Sequence, residues 1–255
     1  MNAEVSIIVP ALNEARDIGR LLGTLRAFRE QAEIIVVDGG SSDETINIAR
    51  EHGAIVIEAP RGRGSQLHAG ACVATGDIFW FLHADSIPPA DALAEIRLAF
   101  EDEGSVVGNF ELRFDGDSRA ARFMTWFYPQ VRKLGLIYGD SGIFVRRRIY
   151  DEVGGVSPIP LFEDLDLVRR LKRAGKLVHL DAELLTSSRR FEGRPFIPVF
   201  LRWVFFQSLY WIGVSPHRLA SRYRPVRSAN IPDEGSNHDR VPVEVVRMPQ
   251  SDKPR

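Results

Sequence analysis

Residues 77–89 read Asp-Ile-Phe-Trp-Phe-Leu-His-Ala-Asp-Ser-Ile-Pro-Pro. Ile78 to Leu82 are apolar without alternation. A strand with no polar face is buried on both sides, as in the middle of a parallel sheet covered by helices. The run stops abruptly at His83, and Asp85 follows two residues later. A carboxylate just past the carboxyl end of a buried strand lies where open α/β sheets bind ligands. Asp is also a common turn residue, here ahead of Pro88 and Pro89. The surrounding chain has to decide between the two roles.

Upstream, Val5 to Val9 and Ile34 to Val37 are further short apolar runs, the first ended by Pro10 and the second by Asp38-Gly39-Gly40. Between them Asn13 is placed to cap a helix whose apolar positions are Ile18, Leu21, Leu22, Leu25 and Phe28, one stripe at helical spacing. Ser42 is placed to cap the next helix, with Asp43 and Glu44 in its first turn, and Gly53 closes it before a third strand at 54–58. Alternating strands and helices predict a parallel α/β unit with right-handed crossovers. Helices are expected at 65–74 and 90–103, a strand at 105–114, and an aromatic helix from Asp117 to about Leu134. Beyond it come a strand at 143–145, a short helix opened by Arg146, and a helix from Phe162 to Gly175 with Leu165, Val168 and Leu171 on one face. Residues 177–180 and 184–188 read as two more strands, and 196–212 as an aromatic helix. From about Ser228 the composition turns polar and proline-rich and reads as a disordered tail, with one short strand at 243–246.

The 255 residues, 44% hydrophobic and 26% charged, are those of a globular protein. A net charge of −1 argues against a general nucleic-acid binder. Cys72 is the only cysteine, which excludes an internal disulfide and a cysteine zinc site and suits a cytoplasmic location. The first strand is followed by Pro10-Ala11-Leu12-Asn13-Glu14, which is neither the G-x-G-x-x-G of a dinucleotide site nor a P-loop. Nor is it the glycine-rich loop expected of a nucleotidyltransferase. Arg61 and Arg63 flank glycines, where guanidinium forks can reach diphosphate oxygens, or simply stay solvated.

Five segments in order, VSIIVPALNEARDIGRLLGTL, IIVVDGGSSDET, GDIFWFLHADS, SGIFVRRRIYDEVGG and FEDLDLVRRLKRAGK, resemble family 2 glycosyltransferases of the GT-A fold over residues 4 to 190. The -HAD- variant and TSSRRFEGR resemble a bacterial subgroup labelled radical-SAM/selenodomain-associated transferases. The resemblance implies a mostly parallel, Rossmann-like sheet flanked by helices, with a C-terminal aromatic helical segment. It implies one domain over residues 1–228, with a nucleotide-binding half at about 1–115 and an acceptor half at about 116–228. The implied activity is inverting transfer of a sugar from a nucleotide-sugar donor, a UDP-sugar first and GDP-mannose second, to an unknown acceptor hydroxyl. The alternative is an inert sugar-nucleotide-binding scaffold.

By resemblance, Asp38 contacts the nucleobase, Pro10, Ala11 and Glu14 line the same pocket, and Arg61, Arg63, His83 and Ala84 meet the rest of the donor. The family's metal motif is D-x-D. Here His83 takes its first place, so Asp85 alone carries the Mn²⁺ or Mg²⁺, with His83 on the metal or on the ribose. Of the acid pair Glu163-Asp164, Asp164 is the expected catalytic base. Asp140, Arg189, Arg190 and Trp203 are assigned to the acceptor. The processive Q-x-x-R-W motif is absent. The helix at 196–212 carries seven aromatic residues, with Arg202 in its middle. Two uses for it stay open: packing over the site or in a homodimer, and peripheral contact with the inner face of a membrane.

Overall fold

The computed structural model describes residues 4–189 and 195–223. The three buried apolar runs become adjacent parallel strands: β1 (Val5–Ala11), β2 (Ala32–Asp38) and β4 (Ile78–Phe81). β3 (Ile55–Glu58), β5 (Ser105–Phe114), β6 (Phe144–Arg146) and β7 (Lys176–Thr186) complete one sheet in the order β3-β2-β1-β4-β6-β5-β7. β6 runs antiparallel to β4 and β5, and every other pair is parallel. Around the sheet lie α1 (Ile18–Leu25), α2 (Thr45–Glu51), α3 (Arg63–Val73), α4 (Ala92–Ala99), α5 (Arg119–Lys133), α6 (Arg147–Glu152), α7 (Glu163–Ala174), α8 (Phe196–Trp211) and α9 (Pro216–Arg222).

Successive residues of a strand point to opposite faces, and both faces are covered. Ile7 and Val9 pack with the α1 stripe Ile18, Leu21, Leu22 and Leu25, whereas Ile8 packs with Leu67 and Ala71 of α3. In β4, Trp80 stacks on Phe110 on one side, at 5.4 Å between ring centres. On the other side Phe79 and Phe81 meet Tyr150 at 5.1 and 5.8 Å. Each such buried ring contributes about 1.5–3 kcal/mol by transfer alone. Helix α3 lies close because Gly70 has no side chain: a Cβ there would sit 2.4 Å from Ile8 and 2.9 Å from Val37.

Several boundaries differ from the sequence reading. β1 continues through Pro10, which pairs with Val37 in a parallel register, and ends at Ala11. Asn13 caps no helix. It adopts a left-handed conformation, φ 55°, and its Oδ1 accepts from the Ser42 N–H while Ser41 Oγ accepts from the Asn13 N–H. Asp43, not Ser42, accepts the first amide of α2, from Thr45. The two strands expected at 177–188 are one, β7, which pairs in parallel with β5. α4 is shorter than the expected helix. The expected tail and its strand at 243–246 lie outside the described residues.

At the amino edge of the sheet, Glu33 of β2 accepts from Ser6 Oγ (2.5 Å), from the N–H (2.5 Å) and hydroxyl (3.0 Å) of Thr75, and from the Gly76 N–H (3.3 Å). Burial alone would push its carboxyl up, but these donors outweigh burial and hold it below the usual range. A depressed folded pKa stabilises above the unfolded value of about 4.3, and that contribution disappears as pH falls through the lower folded value. Glu33→Gln is therefore expected to lower stability from pH 8 to 5, with the gap to wild type closing below about pH 4.3. Denaturant titrations across that range test it. A gap constant down to pH 3 would mean the charge contributes nothing.

Candidate active site

The carboxyl ends of β2, β1 and β4 lie side by side, and the chain leaves β1 towards β2 while β4 lies on the other flank. That reversal opens the crevice in which doubly wound sheets bind ligands. Ala11 and Asp38 are register partners at its floor. Gln66 of α3 donates from Nε2 to the carbonyls of Ala11 and Val37, both at 2.8 Å, and so ties the two strand ends together. Asp38 is 1% exposed. Its Oδ2 accepts from the N–H groups of Gly40 (2.8 Å) and Ser41 (2.9 Å), and its Oδ1 is buried without a hydrogen-bond partner among the described residues. An unsatisfied buried carboxylate oxygen at a crevice floor is an acceptor awaiting a donor.

After β4 the chain carries two groups, one on each side. On the first, Arg189 donates from Nη2 to both Glu14 oxygens (2.6 and 2.9 Å), from Nη1 to Asp17 (2.5 Å), and lies 3.4 Å from Asp85. Burial pushes the Glu14 carboxyl up. Arg189 pulls it back, Asp85 and Asp17 add like-charge repulsion, and the net shift is upward. Burial opposes the Arg189 charge, but Glu14, Asp85 and Asp17 more than offset it, so the guanidinium stays firmly protonated. The sequence expectation groups Arg189 with the acceptor residues; the structure places it against Glu14, Asp17 and Asp85. The reason is a contact far apart in sequence. Ile87 and Leu185 exchange backbone hydrogen bonds (2.7 and 3.0 Å), which pins the segment after Asp85 to the end of β7. Arg190 lies outside the described residues.

On the other side, Arg63 at the start of α3 joins three residues. Its Nε donates to Glu163, its Nη2 lies 3.7 Å from Asp164, and its Nη1 lies 3.3 Å from His83 Nε2. Glu163 is 2% exposed. Asp164 accepts from the Gly139 N–H through Oδ2 (2.7 Å) and from the Leu165 N–H through Oδ1 (2.8 Å). Gly139 approaches closely because a Cβ there would stand 3.2 Å from that carboxylate. Phe162, which precedes the pair, holds a left-handed conformation at φ 63° and stacks on Tyr210 of α8 at 4.9 Å. A bulky residue at positive φ costs about 1–3 kcal/mol, and such strain clusters at functional sites.

The remaining candidates separate. Pro10 is half-buried and Ala84 is buried, while Arg61 is exposed. Asp140 accepts from the Tyr128 hydroxyl at 3.0 Å. Trp203 packs on Tyr138 at 5.1 Å. Burial, with Asp164 and Asp140 adding to it, pushes the Tyr138 phenol up to about 12 against the bond from Gln207, so at neutral pH it remains a donor. Asp17 and Gln66 had no distinguishing pattern in sequence. Each acquires its place only through contacts made in three dimensions.

Residues 6–152 match the profile of Glycosyl transferase family 2. A probable glycosyltransferase of Bacillus subtilis, YdaM, is 29% identical over 199 residues, covering 68% of this chain and 47% of that protein. The dolichyl-phosphate beta-glucosyltransferase of Drosophila melanogaster is 31% identical over 144 residues, 47% of this chain and 44% of that one. The chain spans 32–62% of the length of the curated relatives it matches. Among solved structures, the Pyrobaculum calidifontis mannosyltransferase PcManGT in complex with GDP-Man and Mn²⁺ has a TM-score of 0.65 at 19% identity, covering 87% of this chain and 69% of that one. Glucosyl-3-phosphoglycerate synthase from Mycobacterium tuberculosis, in complex with Mn²⁺, UDP and its product, has a TM-score of 0.59 at 20% identity, covering 83% and 81%. These likenesses establish the GT-A fold. With the profile matched from β1 to the end of α6, more than half of its length, the chain belongs to glycosyltransferase family 2.

Proposed function

We propose that this protein transfers a sugar, with inversion, from a nucleotide-sugar donor to an acceptor hydroxyl. The observation that carries the proposal is the linkage through Arg63, which holds His83 beside the start of α7 and so sets the acid pair against the donor motif. In this reading the nucleobase lies over Ala11 and donates to the unsatisfied Oδ1 of Asp38, with Pro10 and Glu14 beside it. A UDP-sugar is the first donor to try and GDP-mannose the second, since the solved neighbours hold UDP and GDP-Man.

The residues fit a divalent ion of modest protein ligation. Among the described residues no cluster of three or more His, Cys, Asp or Glu could hold a metal unaided. Asp85 supplies one carboxylate, and Mg²⁺ or Mn²⁺ readily takes its other ligands from diphosphate and water. When bound, the ion would neutralise charge on the departing diphosphate. Arg189 places a second positive charge beside Asp85, and Arg63 a third near His83. Asp164 would take the acceptor proton as the hydroxyl attacks, while Glu163 fixes Arg63. Asp140 and Trp203 lie with Tyr128 and Tyr138 on the side of the acid pair where the acceptor would enter.

A second reading, donor binding without turnover, is favoured by one fact: both Asp164 oxygens already accept backbone N–H groups. An ionised carboxylate has about four acceptor sites, so capacity for a hydroxyl remains. A thermal-shift series with UDP- and GDP-sugars, with and without Mn²⁺, tests donor binding. At 100 times Kd a ligand adds about 2.7 kcal/mol to the native state. One donor class is expected to raise Tm in a metal-dependent way and to be hydrolysed slowly without acceptor. No shift with any nucleotide sugar would reject the proposal, and a shift without any hydrolysis would favour the second reading.

A further inference from the structure

Twelve large apolar side chains stand exposed among the described residues, and nine of them lie on α5, on α8 or at the residue that ends each. The outward face of α8 is Ile197, Leu201, Val204, Phe205, Trp211 and Ile212, one stripe at helical spacing broken only by Ser208. The outward face of α5 interleaves Phe123, Trp126 and Leu134 with exposed Arg119, Arg122 and Lys133. Phe123 meets Phe196 edge-on at 5.4 Å and Phe200 at 5.8 Å, so the two helices present a single surface. A contiguous patch of this kind marks an interaction site rather than ordinary scattered exposure.

Charge identifies the partner. Residues 118–139 and 195–223 contain seven Arg and Lys and no Asp or Glu, in a chain whose net charge is −1. Arg132 turns inward to Glu111 at 2.8 Å, while Arg119, Arg122, Lys133, Arg218 and Arg222 are exposed. A second copy docked about a two-fold axis would bring this cationic rim against itself. The chain beyond Tyr223 has six Arg and Lys against five Asp and Glu, so it offers no net negative charge. An anionic lipid surface complements both the apolar stripe and the basic rim. α8 has 16 residues, about 24 Å at 1.5 Å each, and no described helix is long and apolar enough to cross a membrane. We propose that the α5–α8 face docks on an anionic bilayer, with α8 lying in the headgroup plane.

The inner side of α8 faces the acid pair. Tyr210 stacks on Phe162, and Gln207 exchanges hydrogen bonds with Tyr138 (2.9 and 3.1 Å), next to the Gly139 that binds Asp164. Docking therefore brings the start of α7 to the level of the headgroups. The docking itself rests on this surface alone. Only its consequence, an acceptor drawn from the membrane plane, rests on the transferase reading.

The full chain is to be mixed at low salt with sucrose-loaded vesicles of equal parts phosphatidylcholine and phosphatidylglycerol, and with vesicles of phosphatidylcholine alone. It is expected to pellet with the anionic vesicles about 10-fold or more in excess of the neutral ones. Brominated lipid should quench the exposed Trp126 and Trp211. Two paired variants, Leu201→Glu with Phe205→Glu and Arg218→Glu with Arg222→Glu, change exposed positions and should melt as wild type does. Each should cut partitioning about 10-fold while keeping any donor-induced thermal shift. A wild-type chain that stays in the supernatant with anionic vesicles overturns the proposal, as does undiminished pelleting of either paired variant. A concentration-dependent dimer that Leu201→Glu with Phe205→Glu dissolves would assign the face to a second copy and overturn it too. Loss of donor response with vesicle binding intact would strike the transferase reading and leave docking in place.

Discussion

Asp164→Asn is expected to slow sugar transfer by about 100-fold or more while leaving donor affinity nearly unchanged. The substitution keeps the shape and removes the proton acceptor. Its structural cost can be bounded. Both carboxylate oxygens accept backbone amides, from Gly139 and Leu165. An asparagine can satisfy only one of them with its oxygen, so about 1–3 kcal/mol of stability should be lost. Donor-induced thermal shift separates this loss from a failure of the site. The control is Glu163→Gln, which keeps a hydrogen bond to Arg63 and removes the buried charge that fixes it. Near wild-type transfer by Asp164→Asn with an inactive Glu163→Gln would reverse the assignment within the pair. Activity in both would move the base elsewhere.

The second large effect is expected at Asp85. Asp85→Ala should abolish the Mn²⁺-dependent part of donor stabilisation, because the diphosphate's counter-ion would lose its protein anchor. The fold should hardly notice. Asp85 meets Arg189 at 3.4 Å, both side chains are partly exposed, and Arg189 keeps Glu14 and Asp17. A pair of that kind contributes about 1 kcal/mol or less. Melting with and without chelator, at fixed nucleotide sugar, reads both quantities in one series. Equal metal-dependent stabilisation in wild type and variant would remove Asp85 from the site.

The parts of the fold legible in the sequence were those set by local pattern. The unbroken apolar runs of β1, β2 and β4, the stripe of α1 and the acid-led start of α7 are each written within a dozen residues. Strand β7 was read as two, because it sits at the sheet edge, where Asp181 and Glu183 can face solvent and break the apolar run without breaking the strand. Asn13 was misread for a related reason: its side chain serves a loop thirty residues away, not its own helix. The candidate site shows the same division. Asp38, Asp85 and the acid pair stand at strand or helix ends that the pattern locates. Asp38 is held by the nearby amides of Gly40 and Ser41, but the arginine partners of Glu14 and Glu163 are supplied from afar. Arg189 reaches Glu14 across 175 positions, and Arg63 reaches Glu163 across 100. No periodicity within a window can reveal such pairs.

The tie made by Gln66 has a consequence for how the protein would choose among bases. One amide group spans the carbonyls of Ala11 and Val37, so the gap between the ends of β1 and β2 is set when the chain folds. Under the proposed function the slot would be preorganised, and a visiting base would have little backbone to order. Discrimination between uracil and guanine would then be steric and immediate, decided by the width of a rigid mould rather than by closure around the guest. Under the proposed function, Gln66→Ala would make the protein a less particular reader of nucleotides before it made it a slower enzyme.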